Sequence, residues 1–301
     1  MLHGVINVYK EQGFTSHDVV AKLRGILGQR KIGHTGTLDP DAKGVLPVCL
    51  GKATKLCNML TEKDKTYEAI LLLGKTTDTQ DISGTVLSEF PTEHLVEQQV
   101  IECILGFQGK NDQIPPMYSA LKVNGKKLYE LARQGIEVER KAREIYIHSI
   151  VVEEIELPRV KIKVNCSKGT YIRTLCHDIG MQLGCGGVME ALLRTKVERF
   201  EIADSVTLTQ IEERKQKESL ESLIYPIDQM FAQYKTVTIL EKYAPLVYNG
   251  NPFAIHQTGS SDTFKQDEQV RVYDYKGVFI GIYRFQADRQ MFQIMKMFYG
   301  I

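Results

Sequence analysis

The chain lacks any segment long and apolar enough to cross a bilayer: the run 69–73 falls far short of the roughly 20 residues a spanning helix needs. Its first ten residues show no signal-peptide architecture. A soluble, cytoplasmic protein with no membrane partner is the expectation. It also lacks an excess of either charge, with 38 Lys and Arg against 37 Asp and Glu, so a wholesale polyelectrolyte grip on nucleic acid is not indicated. The six cysteines (Cys49, Cys57, Cys103, Cys166, Cys176, Cys185) contain no Cys-x-x-Cys, which argues against a zinc ribbon or a disulfide framework and for free, mostly buried thiols. No repeat at solenoid periods is present.

What is there is a globular composition, 43% apolar and 25% charged over 301 residues. That is enough for one large domain plus an appendage. Charge is unevenly placed. Residues 76–112 hold seven acids and only Lys110, whereas residues 159–199 hold eight bases, Arg173 and Arg194 among them, against three acids. One acidic and one basic surface region follow.

The pattern of elements predicts a strand at 4–9, a helix from an N-cap at Ser16 to Gly28, and a long shaped loop over 31–47, where five Gly and Pro residues leave no period of either kind. Further on it predicts a strand at 65–73, a helix at 93–105, a hairpin of 145–155 with 160–166, and a helix at 170–183. Leu192 and Leu193 sit in what reads as a helical pattern. Strands and helices come in blocks, so the expected class is α+β around a mixed or antiparallel sheet. From about Thr236 the texture changes to short β segments punctuated by turns. The expected division is 1–232 and 233–301.

Gly33-His34-Thr35-Gly36-Thr37-Leu38-Asp39-Pro40 is the densest unusual stretch. Its glycines allow close backbone approach to a ligand, and Pro40 holds Asp39 extended, fixing its carboxylate. An isolated Asp-Pro would read as a turn. A His, two Thr and an Asp between glycines, followed by Gly44-Val45-Leu46-Pro47, read as a site.

Together with Val48-Cys49-Leu50-Gly51-Lys52-Ala53-Thr54-Lys55, Asp64-Lys65-Thr66-Tyr67, Gln113-Ile114-Pro115-Pro116-Met117-Tyr118-Ser119-Ala120-Leu121-Lys122 and Cys166-Ser167-Lys168-Gly169-Thr170-Tyr171-Ile172-Arg173, this stretch resembles the bacterial tRNA pseudouridine-55 synthases, the TruB family. The motifs are ordered over roughly the first 210 residues. The resemblance implies isomerisation of uridine to pseudouridine in the TΨC loop of tRNA, without cofactor or metal, by a catalytic aspartate, which is Asp39 here. Independently, exchanging a C1′–N1 bond for C1′–C5 needs a group that attacks or deprotonates and is later released, and a carboxylate does either. Attack at C1′, addition to the base and removal of a ribose proton all stay open. Asp41 lies beyond Pro40, so no two-carboxylate glycosidase mechanism is assigned.

The resemblance further implies that Arg173 pairs with Asp39, keeping it ionised and oriented. It places Tyr67 against the target uracil, where it assists removal of the C5 proton, and lines the uridine pocket with Tyr171 and Leu192. The nucleotide must be flipped out of its stack to reach Asp39. His34 either braces the space left behind or is a histidine satisfied by its own loop. Residues 196–199 depart from the family, where a small, often Gly-containing stretch is usual before Phe200. The region of about 110–145 corresponds to an RNA-contacting insertion, and the terminal module resembles a PUA domain that meets the acceptor end. The partner implied is tRNA, with no obligatory protein partner and a monomeric enzyme. Three rivals remain in view: a guide-RNA-dependent relative acting on ribosomal RNA, a tRNA-binding or folding protein without turnover, and a nucleosidase that would release free uracil.

Overall fold

The computed structural model describes residues 1–123 and 125–300; Asn124 and Ile301, which fall within the ranges expected for the insertion and the terminal module, lie outside them. A mixed nine-stranded sheet dominates, as the α+β expectation required. Its main path runs Gly4–Lys10, Lys43–Leu50, Gly187–Val197, Lys65–Leu73, Arg159–Cys166, Arg143–Glu156, Gly109–Gln113, with Ile32–His34 and Phe200–Glu201 as side branches. Only Lys43–Leu50 and Gly187–Val197 run parallel. The central strand Lys65–Leu73 is buried along nearly its whole length, and its second half, 69–73, is a continuous apolar run. Toward the edge, Arg159–Cys166 alternates between core and solvent, as a strand with one wet face does.

Helix Ile172–Gln182 covers the middle of the sheet and buries Ile172, Leu175, Cys176 and Ile179 against it. It approaches closely because Gly180 meets Gly187: a Cβ on Gly180 would lie 2.1 Å from the Gly187 nitrogen. One core cluster joins this helix to Tyr67, Ala69, Leu71 and Leu192 of the sheet and to Leu38 and Ala42. Residues 38 and 42 flank Asp39, so the core itself supports the unusual stretch.

Three local expectations are corrected. Thr15, not Ser16, caps the helix Ser16–Leu27, in a capping box with Asp18. The hydroxyl of Ser16 is turned instead to the backbone N–H of Leu38, from which it accepts a hydrogen bond at 2.9 Å. The stretch 31–47 is not all loop, because Ile32–His34 and Lys43–Leu50 pair with each other and satisfy their backbone groups in a ladder. Leu192 and Leu193 lie on strand Gly187–Val197, not on a helix. Period-2 alternation buries Leu192 and leaves Leu193 half-exposed. Nearby, the two-residue turn Glu198-Arg199 connects Val197 to Phe200 with Glu198 at φ +53°, where glycine is the easy residue. The Glu198 carboxylate compensates by accepting from the Arg199 backbone N–H at 2.7 Å.

Where the parallel pair meets, Gly44 has φ +111°, and a Cβ there would lie 2.2 Å from the Arg194 carbonyl oxygen. Backbone strain and a backbone clash act together. We expect Gly44→Ala to lower the unfolding free energy by about 3 kcal/mol or more, read from urea denaturation; an unchanged midpoint would show that the strands part easily here.

The second sheet has the order Lys235–Thr238, Gln269–Tyr273, Phe279–Gln286, Met291–Met297, Phe253–Ala254. Its own core gathers Val237, Phe253, Val272, Tyr283, Phe285 and Phe292. The texture of short β segments missed the brief strand Phe253–Ala254 and the one-turn helix Ala244–Tyr248. The two sheets share a further apolar cluster in which Ile282 and Phe298 pack with Val5, Phe200 and Phe231. Lys55 donates to the Met297 carbonyl at 2.8 Å, and Tyr273 donates to Asp228 at 2.7 Å, across the same junction. The six thiols are free, four of them buried. No helix among the described residues is long and apolar enough to cross a membrane.

Candidate active site

The loop that carries Asp39 is pinned from every side. Thr35 is buried and donates through both its backbone N–H and its hydroxyl to the Pro47 carbonyl, at 3.2 Å each. Leu38 is held by Ser16, and the Pro40 carbonyl accepts from the Gly13 N–H at 2.9 Å and from Lys10 Nζ at 3.0 Å. Lys10 is fully buried, and that burial pulls its ammonium down to about 8. Beneath the loop, Arg194 donates to the carbonyls of Val45 at 2.7 Å, Thr37 at 3.4 Å and Gly36 at 3.3 Å. A flexible Gly-rich segment is thereby made rigid, as positioning a reactive carboxylate requires.

Asp39 Oδ2 lies 3.0 Å from Arg173 Nε, with the aspartate side chain 40% exposed and the arginine only 6%. One end of the pair is open to solvent and the other is sealed in protein. Arg173 also donates from Nη1 to the Thr79 carbonyl at 3.0 Å and from Nη2 to the Tyr118 carbonyl at 2.8 Å. A second carboxylate, Asp81, stands 3.7 Å from Nη1 and is itself held by the hydroxyl of Thr79 at 2.7 Å. Burial pushes the Asp39 carboxyl above its ordinary value, Arg173 draws it back, and Asp81 pushes it up again. The arginine is therefore what preserves ionised oxygen in a partly desolvated place.

Tyr67, Leu192 and Arg194 share one face of the sheet below the loop. Tyr67 and Arg194 are direct cross-strand partners, and Leu192 pairs with Ala69 two residues along. Tyr67 and Leu192 are buried, with under a tenth of their surface exposed. Tyr171 sits at the entrance to helix Ile172–Gln182, half-buried, its backbone clamped by Gln113: the Tyr171 N–H donates to Oε1 at 2.8 Å and Nε2 donates to the Tyr171 carbonyl at 3.0 Å. Asp39, Arg173, Tyr67, Tyr171 and Leu192 thus converge on one region through the loop, the sheet and the helix. His34 belongs to the same loop but turns to His17, ring to ring at 5.3 Å, and its Nδ1 accepts from the Gly36 N–H at 3.3 Å. Burial first, then the charges of His17 and Arg194, hold its imidazole below the usual value.

The expected basic surface of 159–199 needs correction at two residues. Arg173 and Arg194 are buried, because their donors are taken up by backbone carbonyls and carboxylates. Sequence reasoning also missed Asp81, read there as one more surface acid; the cluster Asp78-Thr79-Gln80-Asp81 was the available signal, and the structure makes it a shaped turn with Gln80 at φ +64°. In the 110–145 region Lys122, Lys126, Arg133, Lys141 and Arg143 are exposed, and Leu128 and Leu131 anchor the short helix Leu128–Ala132.

With this geometry in place, comparison with known proteins is decisive. A model of the TruB family pseudouridylate synthase N-terminal domain matches residues 24–172, and a model of the tRNA pseudouridylate synthase B C-terminal domain matches residues 173–232. The chain belongs to the TruB family. Similar TruB relatives include the tRNA pseudouridine synthase B of Lachnoclostridium phytofermentans, 50% identical over 308 residues that span 99% of this chain and 100% of the relative. That of Clostridium kluyveri is 47% identical over 297 residues, again 99% of this chain and 100% of the relative. Among solved structures, this TruB chain is similar to one chain of an H/ACA ribonucleoprotein bound to a substrate RNA containing 2′-deoxyuridine, with TM-score 0.73, 26% identity, 99% of this chain and 86% of that one covered. It is equally similar to a chain of a Cbf5-Nop10-Gar1 complex, with TM-score 0.73 and 28% identity over 98% of this chain and 85% of that one. The TruB models stop at residue 232, short of the five-stranded sheet.

Proposed function

We propose that this TruB chain isomerises uridine to pseudouridine in tRNA, at the uridine of the TΨC loop (position 55), with Asp39 as the catalytic residue. The observation that carries the reading is the half-open ion pair of Asp39 and Arg173 at 3.0 Å, standing above the layer of Tyr67 and Leu192. A flipped nucleotide placed there would meet an ionised oxygen on its ribose side and an aromatic and an aliphatic surface for its base. Tyr171 and Leu192 take the role of pocket walls, Tyr67 lies against the uracil, and His34, neutral and braced by His17, stands beside the gap from which the base has come. Arg173 keeps Asp39 charged and aimed. Exchange of the C1′–N1 bond for C1′–C5 consumes nothing and needs neither cofactor nor metal.

Exposed Lys122, Lys126, Arg133, Lys141 and Arg143 are suited to phosphates of the T-arm, contacts that orient RNA without reading it. In this reading residues 1–232 are the catalytic unit, residues 233–301 are a PUA-like module for the acceptor end, and the enzyme acts in the cytoplasm as a monomer without an obligatory protein partner.

The test is to incubate the purified protein with an unmodified tRNA transcript, adding neither metal nor nucleotide, and to map the TΨC loop by nucleoside mass. Conversion of that single uridine is the expected result. Tight binding without conversion would favour a binding or guide-dependent protein, and released uracil would indicate hydrolysis.

A further inference from the structure

Arg194 is the largest fully buried side chain in the molecule, and among the described residues it forms no ion pair with a carboxylate. An unpaired buried cation is costly, and its three backbone carbonyls supply dipoles but no counter-charge. The acidic group beside it is the phenol of its cross-strand partner Tyr67, buried on the same face of the sheet, and each draws the other toward its charged form. We propose that Arg194 is the positioning residue for Tyr67, holding the phenol against the flipped base and balancing the charge its oxygen carries while it takes the proton from C5. This rests on the pseudouridine-forming reading above.

Once C1′ is joined to C5, that carbon carries both the sugar and its original hydrogen. Ionised Tyr67 takes the hydrogen as a proton, the C5–H electron pair becomes the C5=C6 double bond, and the C6=N1 pair withdraws to N1, which takes a proton from water. Tyr67 then returns its proton to solvent. The groups that face Tyr67 are Arg194 from the neighbouring strand, Cys166 from the strand on its other side and Asp39 from the loop. Burial drives the phenol upward and Arg194 opposes it; Cys166 and Asp39 add to the rise. The charge of Arg194 also reaches Lys10, Lys65 and His34, all of them held down in part by it. None of these three is an anion, which leaves Tyr67 as the acidic group that acts on Arg194.

The experiment compares single-turnover conversion of tRNA transcribed with protium or with deuterium at uridine C5. Arg194→Met should slow conversion about tenfold or more. It should also enlarge the protium-to-deuterium rate ratio above that of the unaltered protein, and recover rate as the pH is raised. A slowed variant with an unchanged ratio and a flat pH response would mean that Arg194 only props the loop, and would overturn the proposal. Should Arg194→Met fail to fold, Arg194→Lys carrying 3-fluorotyrosine in place of Tyr67 answers the same question: the more acidic phenol should restore rate lost by Arg194→Lys alone, and no restoration counts against us. If the unaltered protein forms no pseudouridine, the underlying reading fails; if it does and the ratio stays fixed, only this inference fails.

Discussion

Asp39→Asn should abolish pseudouridine formation, by about four orders of magnitude or more, while leaving the affinity for tRNA within a few-fold of the original. Asparagine fills the same volume, so the loop contacts of Thr35, Leu38 and Pro40 persist. Arg173 retains the carbonyls of Thr79 and Tyr118 and the carboxylate of Asp81, so its charge is not stranded by the change. What disappears is the negative charge on the more exposed of the two carboxylates at Arg173. Single-turnover conversion and filter binding on the same preparation check both halves, and a loss of binding equal to the loss of rate would contradict the separation.

Arg173→Met should have the next largest effect, on stability as well as rate. Removing the guanidinium leaves the carbonyls of Thr79 and Tyr118 without their donor and sets Asp39 and Asp81 against each other with no cation between. Breaking a half-buried pair in this way, with two carbonyls left short of a donor, costs about 2 kcal/mol. The deficit has a pH signature. Asp39 already sits above its ordinary value, and loss of Arg173 moves it further up. A carboxyl raised on folding binds its proton more tightly in the folded state, so the deficit should be largest near neutrality and shrink as acid protonates Asp39. Conversely, the acid limb of the residual rate should move toward neutral pH, because Asp39 loses its charge earlier. Urea midpoints at several pH values and a pH–rate profile read the two effects; a deficit independent of pH would show that the carboxylates do not repel.

How legible the molecule was depended on whether a feature was local. The hairpin of Arg143–Glu156 with Arg159–Cys166 and the strand Lys65–Leu73 were readable because alternation and apolar runs are properties of consecutive residues. Strand Gly187–Val197 was not, since adjacent Leu192 and Leu193 suit either period and only pairing with Lys65–Leu73 decides between them. The same division holds at the site. Asp39 announced itself through Gly36, Pro40 and their neighbours, and Arg173 through its resemblance to a family. Asp81 and Arg194 looked like ordinary surface charges because their partners are remote: Asp81 meets Arg173, and Arg194 meets carbonyls some 150 residues away, as with Val45 at a separation of 149. Ser16 is the clearest instance, a helix-capping residue by type whose hydroxyl is taken by Leu38.

The junction between the two sheets bears on the choice of substrate. Phe298 and Ile282 are embedded with Val5 and Phe231 in shared apolar packing, and Lys55 and Tyr273 fasten its margins. If the outer sheet takes the acceptor end as proposed, two grips joined in this way would work as a caliper with set jaws. An RNA held at the outer sheet would then present to Asp39 whichever nucleotide lies one fixed span away, so selection among uridines would follow from measuring the folded RNA, and a molecule with the right loop on an arm of the wrong length would be passed over.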